Sequence, residues 1–174
     1  MGKVLIAYFS RAGENYFEGT VKRVDVGNNE KVVSMLLEAI EADTFRIEME
    51  MPYSDDYIKC TEQAKIDLNI NARPRLAKYL ENLDGYDKVI LVYPNYWGSV
   101  PMALYSFGED ISWAGVQVYP ICTSEGSGFG NSVSAIKKIC RGAELQTGLT
   151  LVGSHVDEAR GKINEWLEDK NFIQ

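Results

Sequence analysis

The chain lacks the markers of several common chemistries. It has one histidine, His155, just before the last helical stretch, where a capping or solvent role is expected. One histidine excludes a histidine-based metal cluster, so no metal site is expected. The three cysteines, Cys60, Cys122 and Cys140, are odd in number and widely spaced, with no C-x-x-C. They read as free thiols of a reducing compartment. No long apolar run exists: the longest early one, Val4 to Phe9, is too short for a secretory core or a membrane span. A cytoplasmic protein without membrane attachment is expected. Positive charge is in deficit, with 18 Lys and Arg against 25 Asp and Glu, a net of −7. An acidic chain is a poor nucleic-acid binder, while the same charge suits docking to a basic partner protein. Neither G-x-S-x-G nor G-x-x-x-x-G-K-[ST] occurs, which excludes a nucleophile elbow and a P-loop. No repeat, low-complexity tract or Pro/Ser-rich linker divides the sequence.

The 174 residues, 45% hydrophobic and 25% charged, suit one soluble globular domain. Apolar runs and helical periodicities alternate. Lys3 to Phe9 is a continuous apolar run, the pattern of a strand buried on both faces. A polar stretch follows to about Asn29. A helix is expected from Glu30 to Ala42, with Val32, Val33, Leu36, Leu37 and Ile40 on its apolar face. Thr44 to Met49 alternates as a strand. Pro52 to Leu83 has mostly helical character, with Pro74 marking a break or a new helix start inside it, Asp55 and Asp56 starting a helix and Leu76, Tyr79, Leu80 and Leu83 as the stripe of a core-facing helix. Lys88 to Tyr93 is a second buried-strand run. A helix from Pro101 to Ile111, a strand from Val116 to Ile121, a helix from Asn131 to Arg141, a strand at Leu149 to Val152 and a helix from Asp157 to Asp169 complete the chain. Ile163, Trp166 and Leu167 form the stripe of that last helix. Five strands separated by helical segments predict a parallel sheet with helices on both faces. Ligands of such sheets sit outside the carboxyl ends of the strands.

Three loops fall at that edge. The first carries Ser10, Arg11, Ala12 and Gly13, with Gly27, Asn28 and Asn29 at the mouth of the next helix. Hydroxyls, amides and helix N-terminal N–H groups can hold a phosphate; Asn28 or Asn29 is equally explained as a helix cap. Arg11 could approach that phosphate or remain a solvated loop arginine. The second loop runs from Tyr93 through Pro94, Asn95, Tyr96, Trp97 and Gly98 to Ser99. Its adjacent aromatics can stack on a flat heterocycle, or Trp97 can pack on the following helix. Gly98 allows a peptide that reorients, so that a carbonyl can turn toward the ring. The third loop runs from Cys122 to Gly130, and its glycines suit a backbone wrapped around the edge of a planar ring. Cys122 reads as a buried strand-end residue. Gly126 to Asn131 lacks the last glycine of a dinucleotide fingerprint and follows the wrong strand for one. Together the three loops fit a flat ring on a short phosphorylated tail.

The loops Y-P-N-Y-W-G at Tyr93 to Gly98 and C-T-S-E-G-S-G-F-G at Cys122 to Gly130, with the opening V-L-I-A-Y-F-S-R at Val4 to Arg11, resemble those of the flavodoxin family. The resemblance runs nearly end to end. It implies an α/β three-layer sandwich with a five-stranded parallel sheet in the order 2-1-3-4-5 and non-covalent FMN at the junction of strands one and three. By position it places Ser10, Arg11, Ala12, Asn28 and Asn29 at the FMN phosphate. Pro94, Asn95, Tyr96, Trp97 and Gly98 fall on the isoalloxazine, and Thr123, Ser124, Gly126, Ser127 and Gly128 on its other edge. The family's phosphate loop is continuous, whereas here an insertion from about Gly13 to Val26 interrupts it. Either Gly13-Glu14-Asn15 or Gly27-Asn28-Asn29 completes the cradle; the second is favoured, because helical periodicity starts only after it and Glu14 would set a carboxylate beside a phosphate. The inserted segment, with Val21, Val24 and Val26, is expected to form a small hairpin. The implied function is an electron carrier, a monomer or weak dimer working between a reductase and an acceptor protein. The alternative is an FMN-dependent NAD(P)H:quinone or flavin oxidoreductase. A phospho-receiver would need paired acids where Ser10 and Arg11 stand.

Overall fold

The computed structural model describes residues 2–174. Continuous apolar runs form the central strands β1 (Lys3–Tyr8), β5 (Tyr86–Pro94) and β6 (Gln117–Ser124). β4 (Asp43–Arg46) flanks β1, and the sheet order is β4-β1-β5-β6 with every pairing parallel. This is the expected 2-1-3-4-5 order with one departure. The fifth strand is split into β7 (Glu144–Leu145) and β8 (Leu149–Val152), both paired to β6. The break lies beside Pro120, which has no N–H to give to a ladder.

Each face of the sheet carries a buried cluster. On one side α1 (Asn28–Ala39) and α5 (Arg160–Asp169) cover Ile6, Ile90, Val92 and Ile121 with Val32, Val33, Leu36, Ile163, Trp166 and Leu167. Leu37, assigned to that face from periodicity, is 43% exposed instead. On the other side α3 (Ala103–Gly108) and α4 (Ser132–Ile139) cover Leu5, Ala7, Leu91 and Cys122 with Leu104, Phe107, Ile136 and Ile139.

The insertion is a hairpin, β2 (Gly13–Phe17) and β3 (Thr20–Val24), as expected. α2 (Tyr57–Asn69) buries only Cys60 and Ala64, and it leans on this hairpin rather than on the sheet. Asp56 caps it through Lys59 N–H, and the Glu14 carboxylate accepts Tyr57 N–H, so the hairpin and α2 are joined at the helix start. The segment after α2 is a correction. Asn71 turns left-handed at φ 53° and Pro74 holds its predecessor extended, so residues 75–77 pair antiparallel with 48–50 instead of forming a helix. Leu76 and Leu83 are buried from this irregular run, and Tyr79 is 53% exposed. No helix of the described residues is long and apolar enough to cross a membrane.

Candidate functional site

The first loop and the mouth of α1 meet at the carboxyl end of β1. Ser10 Oγ accepts the Glu30 N–H at 3.1 Å, so a hydroxyl from the preceding loop caps the helix. Gly27 at the N-cap makes that approach possible: a Cβ there would run into Ser10 Oγ and lie 2.6 Å from the Arg11 carbonyl. The backbone N–H groups of Asn28 and Asn29 remain unpaired at the positive end of α1, among the described residues. The favoured register, Ser10 with Gly27-Asn28-Asn29, is therefore the one that forms this helix mouth. Gly13 and Asn15 belong to the hairpin, although Asn15 reaches the same cavity.

Asn29 does not present its side chain to the site. It is 2% exposed, donates to the Phe9 carbonyl and accepts the Thr123 hydroxyl at 2.8 Å. The pair ties the end of β1 to the end of β6, so both side chains serve the scaffold.

The second loop is a two-residue turn. Tyr96 and Ser99 exchange backbone hydrogen bonds, and φ is positive at both central residues, 55° at Trp97 and 76° at Gly98. This is the pattern of a type I′ turn, which favours Asn-Gly over a bulky residue. Left-handed backbone at such a residue costs roughly 1–3 kcal/mol and marks a position held for a purpose. Trp97 is held by its indole N–H on the Thr61 carbonyl at 2.8 Å and by the Lys65 ammonium 4.7 Å from its ring. It is 51% exposed, so it does not pack into the interior. The Gly98 carbonyl is already engaged by Asn131 N–H at 2.6 Å, which replaces the freely turning peptide expected from sequence. Tyr96 packs edge-on against Phe9 beside Cys60 and Arg11. Burial, then the neighbouring Cys60, pushes its phenol far above the usual range.

In the third loop the N–H groups of Gly126 and Gly128 turn inward to Ser124 Oγ, at 3.3 and 2.9 Å. They stiffen the loop instead of facing a ring. Asn95 completes the lock, donating to the Gly128 carbonyl and accepting Gly98 N–H.

These pieces enclose a cavity of about 410 Å³, within the range of small-molecule sites. Of the residues singled out from sequence, Arg11, Asn28, Pro94, Asn95, Tyr96, Trp97, Thr123, Ser124 and Ser127 line it, and the Glu125 carboxylate joins them. Ser10 and Ala12 instead border a smaller recess of about 160 Å³ on the far side of the first loop. Gly98, Gly126 and Gly128 shape the loops without lining the cavity. The hairpin and α2 add Tyr16, Tyr57, Cys60, Thr61 and Ala64, and the turn after β8 adds Gly153. No local sequence signal marks these, because tertiary packing of the insertion brings them in. Tyr16 and Tyr57 stack at 6.0 Å. The Arg11 guanidinium donates to the carbonyls of Glu14, Ser54 and Asp55, so it clamps the hairpin to the α2 approach. It is therefore not a solvated arginine: Nη1 and Nη2 are committed to the clamp, while Nε is buried without a partner. The site fits a phosphorylated flat ring: unpaired amides at a helix N-terminus bound one end and a projecting indole bounds the other.

The three thiols are buried and free. Burial pushes Cys122 up to about 12, and it raises Cys60 and Cys140 as well. Unfolded thiols ionise near about 8.5, so above that pH the unfolded chain alone loses protons. This contribution to stability is whole below about pH 8.5 and disappears as pH climbs toward 12. We expect urea midpoints to be level from about pH 6 to 8 and to fall above about 9. A thiol reagent should find none of the three cysteines in the folded protein and all three after unfolding. Native reaction at Cys122 would contradict this burial.

Comparison with known proteins agrees with this geometry. No curated protein sequence matches the chain. Among solved structures, a protein of Bacteroides eggerthii DSM 20697 assigned as a flavoprotein is 26% identical, with 97% of this chain and 98% of that one covered at TM-score 0.75. A flavoprotein in complex with FMN from Lactobacillus acidophilus NCFM is 15% identical, with 91% and 98% covered at TM-score 0.59. Oxidised flavodoxin 2 from Bacillus cereus is 17% identical, with 96% and 99% covered at TM-score 0.52; these two share the fold. The flavodoxin family profile matches residues 3–170, and with this sheet order and these loops the chain belongs to the flavodoxin family.

Proposed function

We propose that the chain holds FMN non-covalently in this cavity and carries electrons between protein partners. One observation carries the reading: Asn28, with its free backbone N–H at the α1 mouth, and the outward-held indole of Trp97 line one cavity. The backbone N–H groups at the α1 mouth, beside Asn28, would hold the phosphate, where the helix dipole favours negative charge. Trp97 and Tyr96 flank the ring and shield it from water, while Ser124 and Ser127 lie along its other edge. The flavin, when bound, supplies the redox chemistry.

The chain's own groups favour a carrier over a reductase. The titratable groups of the lining are held in place: Arg11 donates to three carbonyls, Glu125 accepts the Ser154 N–H, and burial keeps the Cys60 thiol and Tyr96 phenol protonated. The Trp97 end opens to the surface, as exchange of electrons with a docked protein requires. A net charge of −7 suits a basic partner.

The test is the visible spectrum of the purified protein, followed by anaerobic mixing with NADH and NADPH. We expect a yellow protein that releases FMN on denaturation and that neither nucleotide bleaches rapidly without an added reductase. Rapid bleaching by either would favour the NAD(P)H-dependent oxidoreductase. A colourless protein that takes up no FMN would overturn the cofactor assignment.

A further inference from the structure

The helix α2 is built inside out. A surface helix normally turns its largest apolar side chains inward and its polar ones to water. Here the inward face carries only the small residues Cys60 and Ala64, which line the cavity. Ile58, Ile66 and the C-cap residue Ile70 stand on the outer face instead, 60%, 58% and 69% exposed. With Glu62 they form one row at a spacing of four residues, so they lie on a single stripe of the helix. Isoleucine is among the residue types most often buried. One exposed apolar side chain is ordinary; three on one helix stripe are a face that lacks its partner.

The charges of the helix select that partner. α2 carries Lys59, Glu62, Lys65 and Asp67. Asp67 is turned aside to accept the Tyr53 hydroxyl at 2.5 Å. Glu62 remains in the middle of the apolar row, with a lysine three residues to either side. A second α2 laid antiparallel, crossing between Gln63 and Ala64, sets Glu62 of each copy opposite Lys65 of the other. The same register sets Ile58 opposite Ile70, and the two-fold axis repeats both pairs. A parallel copy would set Glu62 against Glu62 and Lys59 against Lys59, which like-charge repulsion opposes. The face is thus complementary to itself in one orientation, in its apolar residues and in its charges.

We infer that the outer face of α2 is the two-fold interface of a homodimer, with α2 packed antiparallel on α2 of a second copy. A helix of 13 residues is about 20 Å long, so the contact is small as protein interfaces go. The dimer is accordingly weak, with a dissociation constant of about 1–100 µM. Cys60 and Ala64 face the cavity and the isoleucines face away from it, so association stands or falls separately from the FMN reading.

The experiment is sedimentation velocity on the purified chain from about 1 to 300 µM. Wild type should pass from one chain mass to two across that range. Ile66→Asp should weaken association by about 30-fold or more. Glu62→Lys and Lys65→Glu should each weaken it by about tenfold, because each sets like charges across the axis. Combined, the two reversals restore opposite charges and should bring association back to within about threefold of wild type. All three positions are exposed, so the variants keep the helix, which circular dichroism checks. Wild type that stays monomeric throughout would overturn the inference. So would a dimer that survives Ile66→Asp, or a double reversal as impaired as the single ones.

Discussion

Trp97→Asn is expected to keep or raise the melting temperature while weakening FMN binding by about 30- to 100-fold. The two effects have separate causes. Asn-Gly is the favoured pair for this turn, so the substitution relieves roughly 1–3 kcal/mol of left-handed strain. Against that stand the indole bond to Thr61, about 1 kcal/mol, and the Lys65 contact, roughly 0.5–1 kcal/mol. Binding loses about 0.5–1.5 kcal/mol of ring stacking and part of the indole's apolar burial, roughly 2–3 kcal/mol together. Trp97→Phe retains a stacking face, so its affinity should fall between the two; it keeps the strain and loses the indole bond to Thr61, so its melting temperature should fall below wild type. Calorimetry and flavin titration read the two effects separately. An Asn variant that binds FMN as tightly as wild type would remove Trp97 from the site.

Gly27→Ala should be the most damaging single change at the phosphate end. Its Cβ would press into Ser10 Oγ and the Arg11 carbonyl, neither of which can retreat without parting the first loop from α1. The Ser10 cap on Glu30 would break with it. Overpacking costs about 1–3 kcal/mol and a lost cap about 1 more, a fall of about 10 °C for a chain of this length. FMN affinity should drop by about tenfold or more, and riboflavin affinity far less, since only the phosphate uses the helix mouth. Equal losses for both flavins would show that the damage is general rather than local to the phosphate.

The error over residues 70–83 shows what periodicity leaves open. Leu76, Leu80 and Leu83 sit at helical spacing, yet the same spacing serves an irregular run pinned against residues 48–50. Pro74 and the left-handed Asn71 decided between the two. Asn29 shows the limit at the site. Its residue type suits a phosphate, but whether its amide faces the cavity or the Phe9 carbonyl depends on how β1 meets β6.

Alternating apolar runs by themselves determined the parallel sheet, its covering helices and the edge where the three loops gather, because burial on both faces demands that pattern of β1, β5 and β6. Only the tertiary structure decided which side chains reach the cavity. Asn29 and Thr123 are drawn into the scaffold, Gly126 and Gly128 bond inward, and Arg11 clamps the hairpin that brings Tyr16 in, while α2 contributes Tyr57 and Cys60. The physical reason is that a buried or partly buried polar group must find a partner. Long-range packing chooses that partner, and no pattern within one segment encodes it.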